Sequence, residues 1–296
     1  MGALVSVVIT TKNEAKNIEA CLKSLQAQTY QPLEIIVVDN GSTDETQALA
    51  RRYTSQVFDR GPERSAQRNF GLLEQSKGEY GLFLDADMVL SPNLIAEAVK
   101  EMEKGSCVAL HLPEIVLGKN YWSQVRRFER GFYDGTVIDG ARFFKRQDFA
   151  RIGGFDESFS GPEDWDLDKK FKQLGPIGLL QAPGSACPPE LDQLLKDAGV
   201  DPGRYGAVVF HNEAEFDLKR YLSKKGYYIE SFDRYIAKWG AQDPEVRLQF
   251  SAFYRFFGVF LERGKGWRLL AHPVLAAGMY ALRFLVGLRF LLRPRS

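Results

Sequence analysis

Cysteine is scarce in this 296-residue sequence, and so is any surplus of charge; each shortage narrows what the chain can be. The three cysteines, Cys21, Cys107 and Cys187, are widely spaced and follow no metal-ligand pattern. An odd, scattered set fits buried thiols in a reducing compartment better than a disulfide framework. Lysine and arginine number 39 against 38 acids. That balance argues against a general nucleic-acid binder, whose affinity rests on neutralising phosphates. Residues 1–14 carry neither a basic start nor a small-residue cleavage site, so no secretory signal is expected. Met1-Gly2 with Ser6 does match the short myristoylation pattern, but that pattern is permissive and residues 4–10 read as a buried strand. No Gly-x-Gly-x-x-Gly follows that strand, which disfavours a nicotinamide dehydrogenase. Internal repeats and low-complexity tracts are also missing.

What is present is a large apolar content, 45% against 26% charged, enough for a sizeable globular core. Strands are predicted at 5–10, 33–38, near 56–58, and at 80–84. Between them, helices are predicted at 14–26, 43–53, 65–74 and 92–103, the first with Ile18, Leu22 and Leu25 at helical spacing. Near-continuous apolar strands alternating with amphipathic helices imply an α/β fold, a mostly parallel sheet covered on both faces. Further on, 121–130 and 164–173 read as helical and 141–145 as extended. Residues 181–206 are rich in Pro and Gly around one short helix, 190–198, and read as an insertion or lid-like loop. From Phe216 onward come two or three aromatic and basic helices.

In such sheets ligands lie beyond the carboxyl ends of the strands, and those ends are polar here. Thr10-Thr-Lys-Asn-Glu14 follows the first strand, Asp39-Asn-Gly-Ser-Thr-Asp44 the second, and Asp85-Ala-Asp87 the fourth. Ser42 with Glu45 makes a capping box, which leaves Asp39 unexplained. A carboxylate at that place can accept hydrogen bonds from a base or ribose. Asp85 and Asp87, one residue apart at the end of an apolar strand, repel each other unless a cation lies beside them. Hard ions such as Mg²⁺ or Mn²⁺ take such oxygens and leave room for phosphate.

Together, residues 6–14, 34–44 and 84–87 resemble the nucleotide-sugar half of family 2 glycosyltransferases, which have the GT-A fold. Gly153-Gly-Phe-Asp-Glu157, Gly161-Pro-Glu-Asp-Trp-Asp166 and, more loosely, His211-Asn-Glu213 extend the resemblance over roughly residues 4–240. It implies a catalytic domain over 1–215, with a donor half (1–110) and an acceptor half (111–215), followed by a helical region over 216–296. It also implies roles. Asp39 would contact the base, with Thr11, Glu14 and Ser42 around base and ribose. Arg64 and Arg68 would approach the nucleotide and diphosphate. Asp85, with Ala86, would contact the ribose or the metal, and Asp87 would bind the metal. Glu163 and Asp164 would supply the general base, and His211 a late metal or diphosphate ligand. The activity implied is inverting transfer from a nucleotide sugar, UDP-sugar favoured, to a hydroxyl of a lipid-linked or glycan acceptor, with Mn²⁺ or Mg²⁺ as cofactor.

Blander readings stand beside these. Arg64 and Arg68 could be an exposed helix face, Glu163 and Asp164 helix N-terminal acids, and His211 a hydrogen-bonded residue ending a strand at 207–210. Residues 84–89 also resemble an aspartyl-phosphate motif, with Asp85 as nucleophile of a phosphohydrolase, although that motif normally follows the first strand. A non-catalytic nucleotide-sugar sensor or membrane scaffold is a third class. Near the C-terminus, Phe250, Phe253, Tyr254, Phe257 and Leu261 fall on one helical face, as core packing requires. Residues 269–292 are apolar except for His272, Arg283 and Arg289. Arg283, Arg289 and Arg293 share an arc of roughly 120°, which suits a helix lying in the interface of an anionic leaflet rather than spanning it. The expected location is the cytoplasmic face of a membrane.

Overall fold

The computed structural model describes residues 2–219, 221–223 and 231–291. Strand β1 (Val5–Thr11) is buried along its whole length, as its apolar run on both faces requires. Val5, Val7 and Ile9 enter one core and Val8 the other, so alternate side chains feed two layers. Strands β2 (Leu33–Asp39), β3 (Val57–Asp59), β4 (Tyr80–Asp85), β6 (Ala109–His111), β8 (Ala141–Lys145) and β9 (Ile177–Leu179) complete a sheet of order β3-β2-β1-β4-β8-β6-β9. Strand β8 runs against β4 and β6; the remaining pairs are parallel. Helices α1 (Ile18–Gln26), α2 (Thr46–Ala50), α3 (Arg64–Asn69), α4 (Leu94–Glu103), α5 (Tyr121–Arg130), α6 (Arg146–Arg151), α7 (Glu163–Lys172) and α8 (Pro189–Asp197) connect and cover it.

Several helices are shorter than their periodicity suggests. Helix α1 starts at Ile18 because residues 12–17 lock onto the loop after β2. There Asn13, at φ +54°, accepts from the Thr43 amide, and its own amide donates to Ser42 Oγ. The Ser42–Glu45 capping box does not form, since Ser42 Oγ donates to Asp39 instead. Asp44 takes the Thr46 amide at the start of α2. After α3 the chain continues as a wider π-type turn, Phe70–Gln75. Gly71 allows that turn to lie directly on β1, where a Cβ would come within 2.4 Å of Val8.

A second sheet was not legible in the sequence: β5 (Met88–Leu90), β10 (Val209–Asn212) and β7 (Glu114–Leu117), in that order. The 181–206 insertion is a fixed cover for it rather than a free lid, because Leu191, Leu195 and Val200 pack on Val89, Leu117 and Phe210.

The C-terminal helices are bound tightly to the α/β body. Asp166 of α7 accepts from Trp239 Nε1 at 2.8 Å and pairs with Lys238 at 2.7 Å, fastening the helix Phe232–Trp239. The helix Pro273–Leu291 lies on α5, with Met279 and Leu282 buried against Val125 and Phe132. Gly278 permits the close crossing, since a Cβ there would meet Tyr121 and Val125. Two expectations are corrected here. Arg283 is only 7% exposed: it pairs with Glu129 at 3.0 Å and lies over the Phe260 ring, so it faces the core and not lipid headgroups. The Arg289 side chain and Arg293 lie outside the described residues. The aromatic face from 250 to 261 is also split. The helix Pro244–Phe250 ends there and a π-type turn, Tyr254–Gly258, follows; Tyr254 turns inward while Phe253, Phe257 and Leu261 face solvent.

Candidate active site

The strand order reverses between β1 and β4, so a crevice opens at their carboxyl ends. Register places Thr11 opposite Asp39 on one side and Thr10 opposite Asp85 on the other. Asp39 is fully buried and accepts from the Ser42 amide (2.6 Å), Ser42 Oγ (2.5 Å) and Gln47 Nε2 (2.9 Å). Thr11 Oγ1 beside it is buried with no hydrogen-bond partner among the described residues. Glu14 accepts from Asn17 Nδ2 and, through its amide, donates to Thr46. Thr11, Glu14, Asp39 and Ser42 therefore gather around one end of the sheet.

Arg68 joins the donor side to the acidic pair. It is 1% exposed, between the rings of Phe83 and Phe155, at 4.4 and 5.2 Å from their centroids. One nitrogen donates to Asp85 Oδ1 and another to Asp164 Oδ1, both at 3.1 Å. Arg64, one turn earlier, pairs with Glu163 at 3.0 Å. The two arginines of α3 thus meet the two acids that open α7, four residues apart facing neighbours in sequence. An exposed helix face does not describe Arg68, which is buried. Burial alone would raise the Asp85 carboxyl, but Arg68, Arg64, Arg142 and His211 hold it well below the usual range. Burial and the Asp164 charge push Glu163 the other way, upward, against Arg64 and Arg68. Asp164 remains about a third exposed, 33%, and so reachable from the crevice. Gly140 lets the β8 loop approach it, since a Cβ there would lie 2.8 Å from Asp164 Cβ.

On the other flank, the Asp87 Oδ2 lies 3.3 Å from His211 Nε2, and His211 Nδ1 lies 3.0 Å from Glu114 Oε1. Burial would lower the imidazole's pKa, but Asp87 and Glu114 raise it well above the ordinary value. Ala86 is buried and its amide donates to the Thr10 carbonyl, which fixes the turn between the two aspartates. Among the described residues no three His, Cys, Asp or Glu side chains converge as a ready metal cage. The donor set still suits a hard cation: Asp87 Oδ1 is buried with no hydrogen-bond partner among the described residues, and such ions commonly take one or two carboxylates and complete their shell with phosphate. Asp85 Oδ1 is already occupied by Arg68 and Thr10, which does not suit a phosphohydrolase nucleophile.

Four participants carry no motif. Gln67 ties the ends of β1 and β2 by donating to the Thr11 and Val38 carbonyls. Arg142 of β8 lies 5.3 Å from the Phe83 centroid and 3.5 Å from Glu114. Glu114 itself was missed because β7 is too short to read. Asn69 was missed as well; it clamps the Gly153-Gly-Phe-Asp turn by bonding Phe155 at both amide and carbonyl.

Comparison with known proteins bears on the family and the fold. Glycosyltransferase AglE of Haloferax volcanii is 41% identical over 92 residues, 28% of this chain and 30% of that protein. An uncharacterized glycosyltransferase of Rickettsia felis is 29% identical over 199 residues, 59% of this chain and 32% of that one. The matched stretches thus span about a third of the relatives' own lengths. Among solved structures, the mannosyltransferase PcManGT from Pyrobaculum calidifontis, in complex with GDP-Man and Mn²⁺, superposes with a TM-score of 0.60. It is 20% identical, over 97% of this chain and 87% of that one. S. aureus TarS 1-349 in complex with UDP-GlcNAc gives 0.51 at 18% identity, over 90% and 75% of the two chains. At these identities the likeness shows the fold, which is GT-A. The sequence pattern that defines glycosyl transferase family 2 matches residues 6–158, just over half of the chain, and the chain belongs to that family.

Proposed function

We propose that the protein is an inverting, divalent-cation-dependent transferase that moves a sugar from a nucleotide-sugar donor to a hydroxyl of a lipid-linked or glycan acceptor. The observation that carries this reading is the placement of Asp164. Arg68 ties it to the donor end of the sheet while a third of its side chain stays open to the crevice. Asp164 accepts the proton of the attacking hydroxyl as the acceptor oxygen bonds the anomeric carbon and the bond to the diphosphate breaks on the opposite side. Arg68 holds the carboxylate in place by donating to its Oδ1. Glu163, buried and held by Arg64, braces the start of α7. Thr11, Glu14, Asp39 and Ser42 take the base and ribose. Asp87 and His211, with Asp85 beside them, would hold Mn²⁺ or Mg²⁺, which when bound offsets charge on the departing diphosphate. A UDP-sugar is favoured from the family resemblance; the GDP-Man held by the mannosyltransferase neighbour puts GDP-sugars in the same panel.

The acceptor is placed at the cytoplasmic leaflet of a membrane. What supports this is the outward apolar surface of the C-terminal helices, including Phe253, Phe257, Leu270 and Phe284. Among the described residues no helix is long and apolar enough to cross a membrane, so the contact proposed is interfacial.

A panel of nucleotide sugars, assayed for nucleoside diphosphate release with Mn²⁺, tests the reading. One or more donors should turn over in Mn²⁺, and Asp87→Ala should abolish that turnover without unfolding the chain. Undiminished activity after exhaustive EDTA treatment would remove the metal from the mechanism.

A further inference from the structure

Glu114 belongs to no motif, yet three basic side chains converge on it beside the crevice. It is buried on β7, and His211 Nδ1 lies 3.0 Å from its Oε1. Arg130 Nε lies 3.4 Å from the same oxygen, and Arg142 Nη2 lies 3.5 Å from Oε2. Arg130 is itself fixed by Asp139 at 2.8 Å. The backbone of His211 is held between β5 and β7, which leaves the ring its rotation about the side chain. Glu114 removes that freedom. With Nδ1–H donated to Glu114, the nitrogen that remains for a ligand is Nε2, and that nitrogen faces Asp87. A carboxylate behind a histidine is a recurrent way to set ring orientation and strengthen it as a ligand.

We propose that Glu114 is a positioning residue that fixes the His211 ring with Nε2 toward Asp87, and so sets the divalent-cation affinity of that pair. The proposal rests on the metal reading above. A purely structural role for Glu114, balancing the charges of Arg130 and Arg142, makes different demands, and two conservative variants separate them. Glu114→Asp keeps the charge but withdraws the oxygens from His211 by one methylene. Glu114→Gln keeps the reach and an acceptor but removes the charge.

The experiment titrates the full chain with Mn²⁺ in the presence of UDP or GDP, reading bound metal by electron paramagnetic resonance, with melting temperature recorded for every variant. Asp87→Ala comes first: loss of Mn²⁺ binding secures the metal reading, and unchanged binding overturns it together with the proposal. Glu114→Asp and Glu114→Gln should then each weaken Mn²⁺ affinity by about tenfold or more. In a His211→Ala background the same two changes should have no further effect, because the ring they act through is gone. Wild-type Mn²⁺ affinity in Glu114→Asp would overturn the proposal. So would an effect that persists in full without His211, even where Asp87→Ala behaves as expected.

Discussion

Arg68 serves two carboxylates with one guanidinium, and at the scale of single residues it is where fold and chemistry meet. It is buried, so Asp85 and Asp164 take the place of water around its guanidinium. Arg68→Met keeps the volume between Phe83 and Phe155 but leaves both acids without their partner. Breaking a fully buried pair costs about 3–5 kcal/mol. Since Asp164 is a third exposed, the expected loss is smaller, about 2–3 kcal/mol by urea unfolding. A melting curve indistinguishable from wild type would show that the carboxylates are satisfied elsewhere. Asp164→Asn addresses chemistry alone. It keeps the shape and the Arg68 contact but cannot take a proton, so kcat should fall by about 10² or more while nucleotide affinity holds. Transfer at near wild-type rate would hand the role of base to Glu163 or another group.

Elements are held to one another by a few buried ion pairs, and Glu129 of α5 is the clearest. It pairs with Arg283 of the long C-terminal helix and with Arg126 on its own helix. Burial works against its ionised form, yet Arg283 and Arg126 bring its pKa down to about 2. A folded value below the unfolded one stabilises the fold above the unfolded pKa, and the gain is lost as pH falls through the window from about 4.5 to about 2. The size is on the order of 3 kcal/mol. Urea unfolding of wild type between pH 5 and pH 3 should therefore be more pH-dependent than that of Glu129→Gln; equal slopes would mean the pair contributes nothing. The same pair shows why part of the molecule was hard to read. Helical spacing places Arg283 on an arc but not on the docked or the open side, and its partner lies 154 residues earlier. By contrast β1, β2 and β4 were plain, because strands buried on both faces must be apolar throughout, and polar residues at their ends then stand out. Asp85 and Asp87 stood out for that reason, whereas Glu163 and Asp164 open a helix and were singled out only through the family resemblance. Strands β5, β6, β7 and β9, of three or four residues, are too short to show a period. Glu114, Gln67 and Arg142 are single side chains whose meaning comes only from tertiary neighbours.

For the molecule as a whole, the C-terminal helices present an apolar face left exposed among the described residues. Along Pro273–Leu291, the outward residues Val274, Ala277, Ala281, Phe284 and Leu288 recur at steps of three and four, opposite the side that docks on α5. Trp267, Leu270, Phe253 and Phe257 are exposed as well. Exposed apolar surface on this scale is a mark of an interaction site. Burying it in the acyl boundary gains roughly 25 cal/mol per Å², with no need for the headgroup arginines that residue spacing suggested. Deleting the helix is a poor test, because Met279 and Leu282 fill the core against α5. Surface changes are cleaner. A chain carrying Phe253→Ser, Phe257→Ser, Leu270→Ser and Phe284→Ser should keep its melting temperature and its donor affinity, since all four side chains lie outside the core. It should no longer sediment with liposomes of mixed neutral and anionic phospholipid, whereas the unaltered chain should. If the unaltered chain ignores liposomes and runs as a dimer in light scattering, and the fourfold variant runs as a monomer, the face joins two copies of the protein instead.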